Sequence, residues 1–362
     1  MTLPLAGLAV VLVAALTWAH LAFWTRRLTL PMPYARVEEL RTADGATIEL
    51  RRLRELPAEG SVPVLLVHGL GANHRNNDLH PEFSLARHLE AEGRDVWLLT
   101  LRSGRKTPGP ERALVRFDAM ARYDLPTAIE TVRSRTGASR IDYLGFSMGG
   151  LLLYAALART VDEGWLRRVV ICASPGSIGV PRPLRWLAAR LPRGLVPGAP
   201  LRVLARLFAF ASEWLPKRLR SGVVNHANVP EGLTRAALVN LVEDIPASLQ
   251  ADFVSFAKEG FVCFDGRPAL DGLRAVRVPA LFLAGSVDGL APIRSVRRAF
   301  EAWGAERDDL EKRFVALGRA YGHEEDYGHG DLAFGRHVAR EVFPLVSEFF
   351  GAEAAGGEAV SS

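Results

Sequence analysis

Cysteine is scarce in this 362-residue chain: there are two. Cys172 lies in the run Val169-Val170-Ile171-Cys172 and Cys263 in Phe261-Val262-Cys263-Phe264. Both read as small buried apolar residues, which excludes a disulfide framework and a cysteine metal site. The chain is therefore expected to fold without help from an oxidising compartment. Internal repeats are missing too, so a solenoid or propeller is not expected.

A third absence is local. From Leu3 to Trp24 there is no Asp, Glu, Lys or Arg over 22 residues. An apolar run of that length is long enough to cross a hydrocarbon core as a helix. Trp18 and Trp24 fall toward one end, as interfacial aromatics do, and Arg26-Arg27 follow. A secretory signal peptide carries its positive charge before the apolar run, and Ala19 makes a poor cleavage site. Residues 1–25 are thus expected to be a single-pass membrane anchor, with a cleaved signal or a lid-associated helix as alternatives. The two arginines place the main body in the cytoplasm by the positive-inside bias.

Nucleic-acid motifs are also absent. The net charge of +5 and pI near 9.5 would otherwise invite that reading. The excess is largely arginine between residues 182 and 220, and a solvated face or attraction to anionic lipid accounts for it without a nucleic-acid partner. Oligomeric state is not legible.

What is present is ordinary globular material, 49% hydrophobic and 23% charged, and long enough for one α/β body with an insertion. After a short linker around Pro31 and Pro33, Arg36–Arg41 and Ala46–Leu53 are expected to pair as a hairpin about Asp44-Gly45. Buried-strand candidates follow at Val62–Val67, Asp95–Leu101, Ile141–Leu144, Arg168–Ala173, Pro279–Ala284 and Arg313–Leu317. Helical patterns separate them at Ser84–Ala91, Ala119–Ser134, Leu151–Thr160 and Ile293–Trp303, and His337–Phe350 closes the series. Continuous apolar strands alternating with helices predict a mostly parallel sheet covered on both faces.

The alternation divides the main body into 26–175 and 275–350. Between them, residues 176–274 lack strands until Phe261–Phe264 and read as a helical cap. In Leu201–Leu215 an apolar stripe of Leu201, Leu204, Phe208, Ala211 and Leu215 opposes Arg202, Arg206 and Glu213. It covers either a core or a greasy acyl chain. Residues 351–362 have the composition of a disordered tail.

The chemistry centres on Gly145-Phe146-Ser147-Met148-Gly149, between a strand and a helix. A serine at the apex of so sharp a turn needs neighbours without bulk, and stands where helix N-terminal N–H groups face developing negative charge. A serine hydroxyl needs a base, and the base an orienting carboxylate, with chain order Ser, acid, His. Asp288, just past the strand Pro279–Ala284, is the candidate acid. Of the histidines that follow, His329 in Gly328-His329-Gly330-Asp331 is preferred as base over His323, and His337 belongs to a helix face. The oxyanion donors are expected to be the Met148 and Leu70 N–H groups, the latter in His68-Gly69-Leu70-Gly71. His68, Gly69 and Phe146 are candidates for the substrate site, His68 by ordering its loop.

These motifs resemble the α/β-hydrolase superfamily over about residues 60–350. Asp95-Val96-Trp97-Leu98 leading to Arg102-Ser103-Gly104, then Tyr123-Asp124-Leu125-Pro126 and Gly328-His329-Gly330-Asp331-Leu332, are similar to the branch of acid lipases and polyhydroxyalkanoate-synthase-like hydrolases. The resemblance implies carboxylic-ester chemistry through an acyl-enzyme on Ser147, without metal or cofactor. A serine where the synthases carry cysteine speaks against polymerisation. Phe146 stands where relatives often have His or Gln. Asp124 and Asp331 read as structural, each able to brace the histidine loop. The expected protein is a membrane-anchored esterase or lipase. An acyltransferase on the same triad, or a silent tethered scaffold, is the alternative.

Overall fold

The computed structural model describes residues 3–55, 60–106, 109–157, 159–179, 192–214 and 223–352. The strands, in chain order, are β1 Arg36–Arg41, β2 Thr47–Arg52, β3 Pro63–Val67, β4 Asp95–Thr100, β5 Ile141–Phe146 and β6 Leu166–Cys172. Two short ones follow, β7 Cys263–Phe264 and β8 Arg267–Pro268, and then β9 Ala280–Gly285 and β10 Lys312–Leu317. Eight of them form one sheet in the order β1-β2-β4-β3-β5-β6-β9-β10. The hairpin β1–β2 and its junction with β4 are antiparallel; every other neighbour is parallel.

Apolar continuity explains the middle of this sheet. Every residue of β3, β4, β5 and β9 is buried, as strands covered by helices on both faces must be. Each fully buried Leu or Val there contributes about 1.5–3 kcal/mol of transfer free energy. Register then positions the loops. Val67 of β3 aligns with Gly145 of β5, Phe146 with Cys172 of β6, and Cys172 with Leu283 of β9. The segments after β3, β5 and β9 therefore leave the sheet along one edge, where ligands bind in parallel α/β sheets.

Three expected helices differ in detail. The one expected from Ala119 spans residues 117–136 and contains a π turn, Met120–Asp124, in which Leu125 N–H reaches back to the Met120 carbonyl. Pro126 cannot donate to a regular helix, and the wider turn accommodates it. The helix expected from Leu151 starts at Met148, directly behind the serine, and ends at Ala156. The closing helix is broken into Val338–Glu341 and Phe343–Gly351, with Pro344 at the start of the second piece.

Between β6 and β9 the described residues include helices Leu201–Phe208, Leu233–Asn240 and Ala247–Glu259 and the small β7–β8 hairpin. The stripe expected to cover a core or an acyl chain is divided: Leu201 packs against the core, and the next two members of the stripe turn outward. Leu204 and Phe208 are 46% and 54% exposed, while Arg206 turns inward and donates to the Val239 carbonyl at 3.2 Å. Leu215, residues 182–191 and 215–220 of the arginine-rich 182–220 stretch, and the tail beyond residue 352 lie outside the described residues.

The N-terminal helix runs Leu3–Leu28, longer than the expected anchor, and 7–28 is one stretch long and apolar enough to span a membrane. Its first half is bare, with Val10 70% exposed. Its last turns dock on the insertion. His20 Nε2 lies 3.0 Å from the Leu207 carbonyl, Trp24 stacks on Phe210 at 5.8 Å, and Asn240 Nδ2 donates to the Leu28 carbonyl at 2.9 Å.

One buried ion pair ties the start of the chain to the sheet edge. Arg102 Nε donates to Asp124 Oδ1 at 2.8 Å and Nη1 to Asp44 Oδ2 at 2.6 Å, so the motifs around residues 102 and 124 are two halves of one contact. Removing a partner from such a pair leaves an uncompensated buried charge. Asp124→Ala, which leaves Asp44 in place, should cost about 3 kcal/mol. The expected readout is a lower urea midpoint with an unchanged denaturant slope.

Candidate active site

Ser147 occupies the sharp turn between β5 and the helix Met148–Ala156, at φ 52° and ψ −113°. A side chain at positive φ is strained by about 1–3 kcal/mol and persists only where the surroundings dictate it. Here they do. Ser147 N–H donates to the Cys172 carbonyl at 2.8 Å. A β-carbon on Gly145 would come within 2.5 Å of Gly150 N, and one on Gly149 within 2.6 Å of the Val67 carbonyl oxygen. Strand and helix approach so closely that only glycine fits at both positions.

Asp288 and His329 come together from loops after β9 and β10. His329 Nδ1 lies 2.8 Å from Asp288 Oδ2. The other carboxylate oxygen, Oδ1, accepts the Leu290 and Ala291 N–H groups, each at 2.8 Å. With Oδ1 occupied by backbone donors, Oδ2 faces the imidazole and selects the tautomer with its proton on Nδ1, leaving Nε2 as the free base. The loops are laced together: Val287 N–H donates to the Tyr327 carbonyl at 3.0 Å and Ser286 Oγ to Asp326 Oδ1 at 2.8 Å. His329 and Asp288 are both buried, Ser147 is half-buried, and the Phe146 ring meets the His329 ring edge-on at 5.3 Å. Phe146 therefore supports the imidazole from beneath.

The rival histidines are engaged elsewhere. His323 Nδ1 sits against Gly318. His337 occupies the N-cap position of Val338–Glu341 without a side-chain capping bond, and its ring lies against Glu324.

The loop after β3 is built from polar side chains. Gly69 N–H donates to Asn76 Oδ1 at 3.0 Å, whereas among the described residues neither Leu70 nor Met148 N–H has a protein acceptor. A β-carbon on Gly69 would stand 3.1 Å from Ser147 Cβ, which puts this loop against the serine. His68 is completely buried, with Nδ1 2.8 Å from the Gly69 carbonyl and Nε2 accepting the Leu101 N–H at 3.1 Å. Both ring nitrogens are used by backbone, so His68 orders the loop and offers nothing to a substrate. Burial drives its pKa from 6.5 down to about 4.

Asn73 and Asn76 are bracing residues with no counterpart in the sequence analysis, whereas Asp331 is already named there as structural. Asn76 holds Gly69, and Asn73 joins the loop to the insertion through Glu243 Oε1 at 2.9 Å. Asp331 accepts the Gly328 N–H at 3.0 Å, the Asn225 N–H at 2.9 Å and Asn228 Nδ2 at 3.1 Å. It fastens the histidine loop to the insertion. The signal available was composition: Asn73, Asn76, Asn77 and Asp78 cluster in one short loop, and such side chains bond locally to backbone. Among the described residues no group of side chains could hold a metal ion.

The His68 environment has a pH consequence. Its folded pKa of about 4 lies below the ordinary 6.5, so the unfolded chain binds the proton first. Stability is gained above pH 6.5 and lost as pH falls toward 4. His68→Asn should be less stable at neutral pH, with the gap to the parent narrowing from about pH 6.5 to about 4 in unfolding measurements.

A sequence profile of the alpha/beta hydrolase fold matches residues 62–334. Human gastric triacylglycerol lipase is 33% identical over 135 residues, covering 33% of this chain and 34% of that protein. The poly(3-hydroxyalkanoate) polymerase subunit of Cupriavidus necator is 34% identical over 87 residues, covering 24% of this chain and 14% of that one. The chain thus spans about a third of the length of the lipase it matches and less of the polymerase subunit. Among solved structures, a membrane phospholipase A described as a bacterial virulence factor shares the fold at TM-score 0.54 and 16% identity, over 97% of this chain and 100% of that one. The profile takes in the β3 loop, the serine turn, Asp288 and His329 together, and the chain belongs to the α/β-hydrolase fold family.

Proposed function

We propose that this protein is a membrane-anchored serine hydrolase of carboxylic esters with an apolar acyl group. The observation that carries the reading is the 2.8 Å contact between Asp288 and His329, on the sheet edge that also presents the strained Ser147. Ser147 Oγ attacks the ester carbonyl carbon while His329 Nε2 takes its proton. The tetrahedral oxyanion rests on the Leu70 and Met148 N–H groups. Collapse breaks the ester C–O bond, and the proton on Nε2 passes to the departing alcohol. Water, deprotonated by the same nitrogen, attacks the acyl-enzyme and releases the acid. Asp288 holds the imidazole in its tautomer and stabilises the imidazolium.

The acyl group is assigned to a cleft of ≈ 520 Å³ lined by Ala199, Pro200, Ile245 and Pro246 among others. One feature supports this. A β-carbon at Gly71, in the loop after β3, would lie 3.3 Å from the Ile245 side chain and 3.5 Å from that of Leu201, so the loop packs directly against a residue of the cleft wall. The helix before it, 7–28, supplies the anchor, with Arg26-Arg27 facing the cytoplasm.

The test uses the full chain, because Asn240 binds the backbone at Leu28 and Leu30 and truncation near residue 30 would remove those contacts. Hydrolysis of p-nitrophenyl esters should fall about a thousandfold or more in Ser147→Ala, and by about 10⁴ in Asp288→Asn, where the tautomer is lost. Full activity in folded Ser147→Ala would end the proposal. Ile245→Trp should move the preferred acyl chain to shorter lengths, read from the same ester series.

A further inference from the structure

Where the N-terminal helix meets the insertion there is an open pocket of ≈ 580 Å³ with an apolar wall and a cationic floor. Trp18 and Leu21 form the wall. Arg26, Lys106, Arg112, Arg202 and Arg206 surround the rest, against one carboxylate, Asp244. The cations come from three separate parts of the chain, so the fold assembles the charge. Asp244, whose Oδ1 accepts the Arg202 backbone N–H at 2.9 Å, is one carboxylate against five cations. The Arg202 guanidinium pairs with Glu243 at 3.2 Å. Arg206 has no such partner among the described residues. It donates once, to the Val239 carbonyl, and its Nε is buried without an acceptor. Burial, and then the neighbouring Arg202, pull its pKa below the ordinary arginine value against the smaller opposing pull of Glu243 and Asp244. A half-buried guanidinium beside another, with a spare N–H donor, can give an anion a charge-assisted hydrogen bond.

Height decides which anion. Arg26 lies in the last turn of the apolar helix, at the end that enters the main body. On the reading that this helix spans a membrane, the pocket sits at the level of lipid headgroups, with Trp18 on its bilayer side. Exposed Val203, Leu204 and Phe208 flank it on the insertion. We infer that this pocket binds the phosphate headgroup of an anionic phospholipid, drawn from the membrane that holds the N-terminal helix. Arg112 and Asp244 also line the cleft assigned to the acyl group, so a bound lipid lies beside the route to Ser147.

The experiment measures binding and needs no turnover. The full-length Ser147→Ala protein, in detergent, is offered equal amounts of phosphatidylglycerol and phosphatidylcholine, and bound lipid is counted by native mass spectrometry. Each basic residue near a membrane surface is worth about a fivefold preference for anionic lipid, so phosphatidylglycerol should dominate by at least that factor. Arg112→Gln with Arg206→Gln should abolish the preference, and Arg206→Lys, which keeps the charge, should retain most of it. If the double variant does not fold, Arg206→Gln alone should lower the preference about fivefold. Equal binding of both lipids, or an undiminished preference in the glutamine variants, would overturn the inference. Displacement of the lipid by inorganic phosphate alone would assign the pocket to a free anion, which overturns it as well. Carbonate extraction of cell membranes reports separately on the anchor, so a soluble protein and an unselective pocket give different results.

Discussion

The backbone of Ser147 is the constraint around which the rest is arranged. Its positive φ is unfavourable for any residue with a side chain, and it survives because strand β5 and the helix behind it are pressed together through glycine. That approach needs a sheet that does not yield. Continuous burial along β3, β5 and β9 supplies it. The parallel register then delivers the loop after β3 and the acid loop to the same edge. Displacing one of these strands would release the strain and scatter the groups that meet there.

Polar side chains hold the loops where apolar packing cannot. His68, Asn76, Arg102 with Asp124, and Asp331 are all buried and bonded to backbone or to each other. Their partners lie in different loops, so each bond removes freedom from a segment that would otherwise move. Satisfied networks of this kind rigidify, and partly satisfied ones are costly. The insertion between β6 and β9 joins the same scheme, reaching the β3 loop through Glu243 and the histidine loop through Asn225 and Asn228.

That insertion also links the N-terminal helix to the site. The helix packs on Leu201–Phe208 through His20 and on Phe210 through Trp24. Leu204 and Phe208, on the same insertion, face outward. If the helix crosses a membrane, as proposed here, these side chains face lipid rather than water. On the function proposed here, anchor, insertion and hydrolytic edge form one route from lipid to serine.

Much was legible in the sequence alone, for a physical reason: local patterns carry their own geometry. Alternating apolar strands and helices determined the fold class, and the glycine-flanked Ser147 its turn. Chain order singled out Asp288 and His329. The hairpin at Asp44-Gly45 followed from turn chemistry. Other features depend on partners distant in the chain. That His68 is sealed in by Leu101, that Asp331 reaches Asn225, and that Pro126 widens a helix beside Arg102 are outcomes of packing. The apolar stripe of Leu201–Leu215 is the clearest case. Periodicity shows that a helix has two faces, but which face is buried depends on what lies against it. Only the tertiary structure decided that here, by turning Arg206 inward beside the N-terminal helix and leaving Leu204 and Phe208 outside.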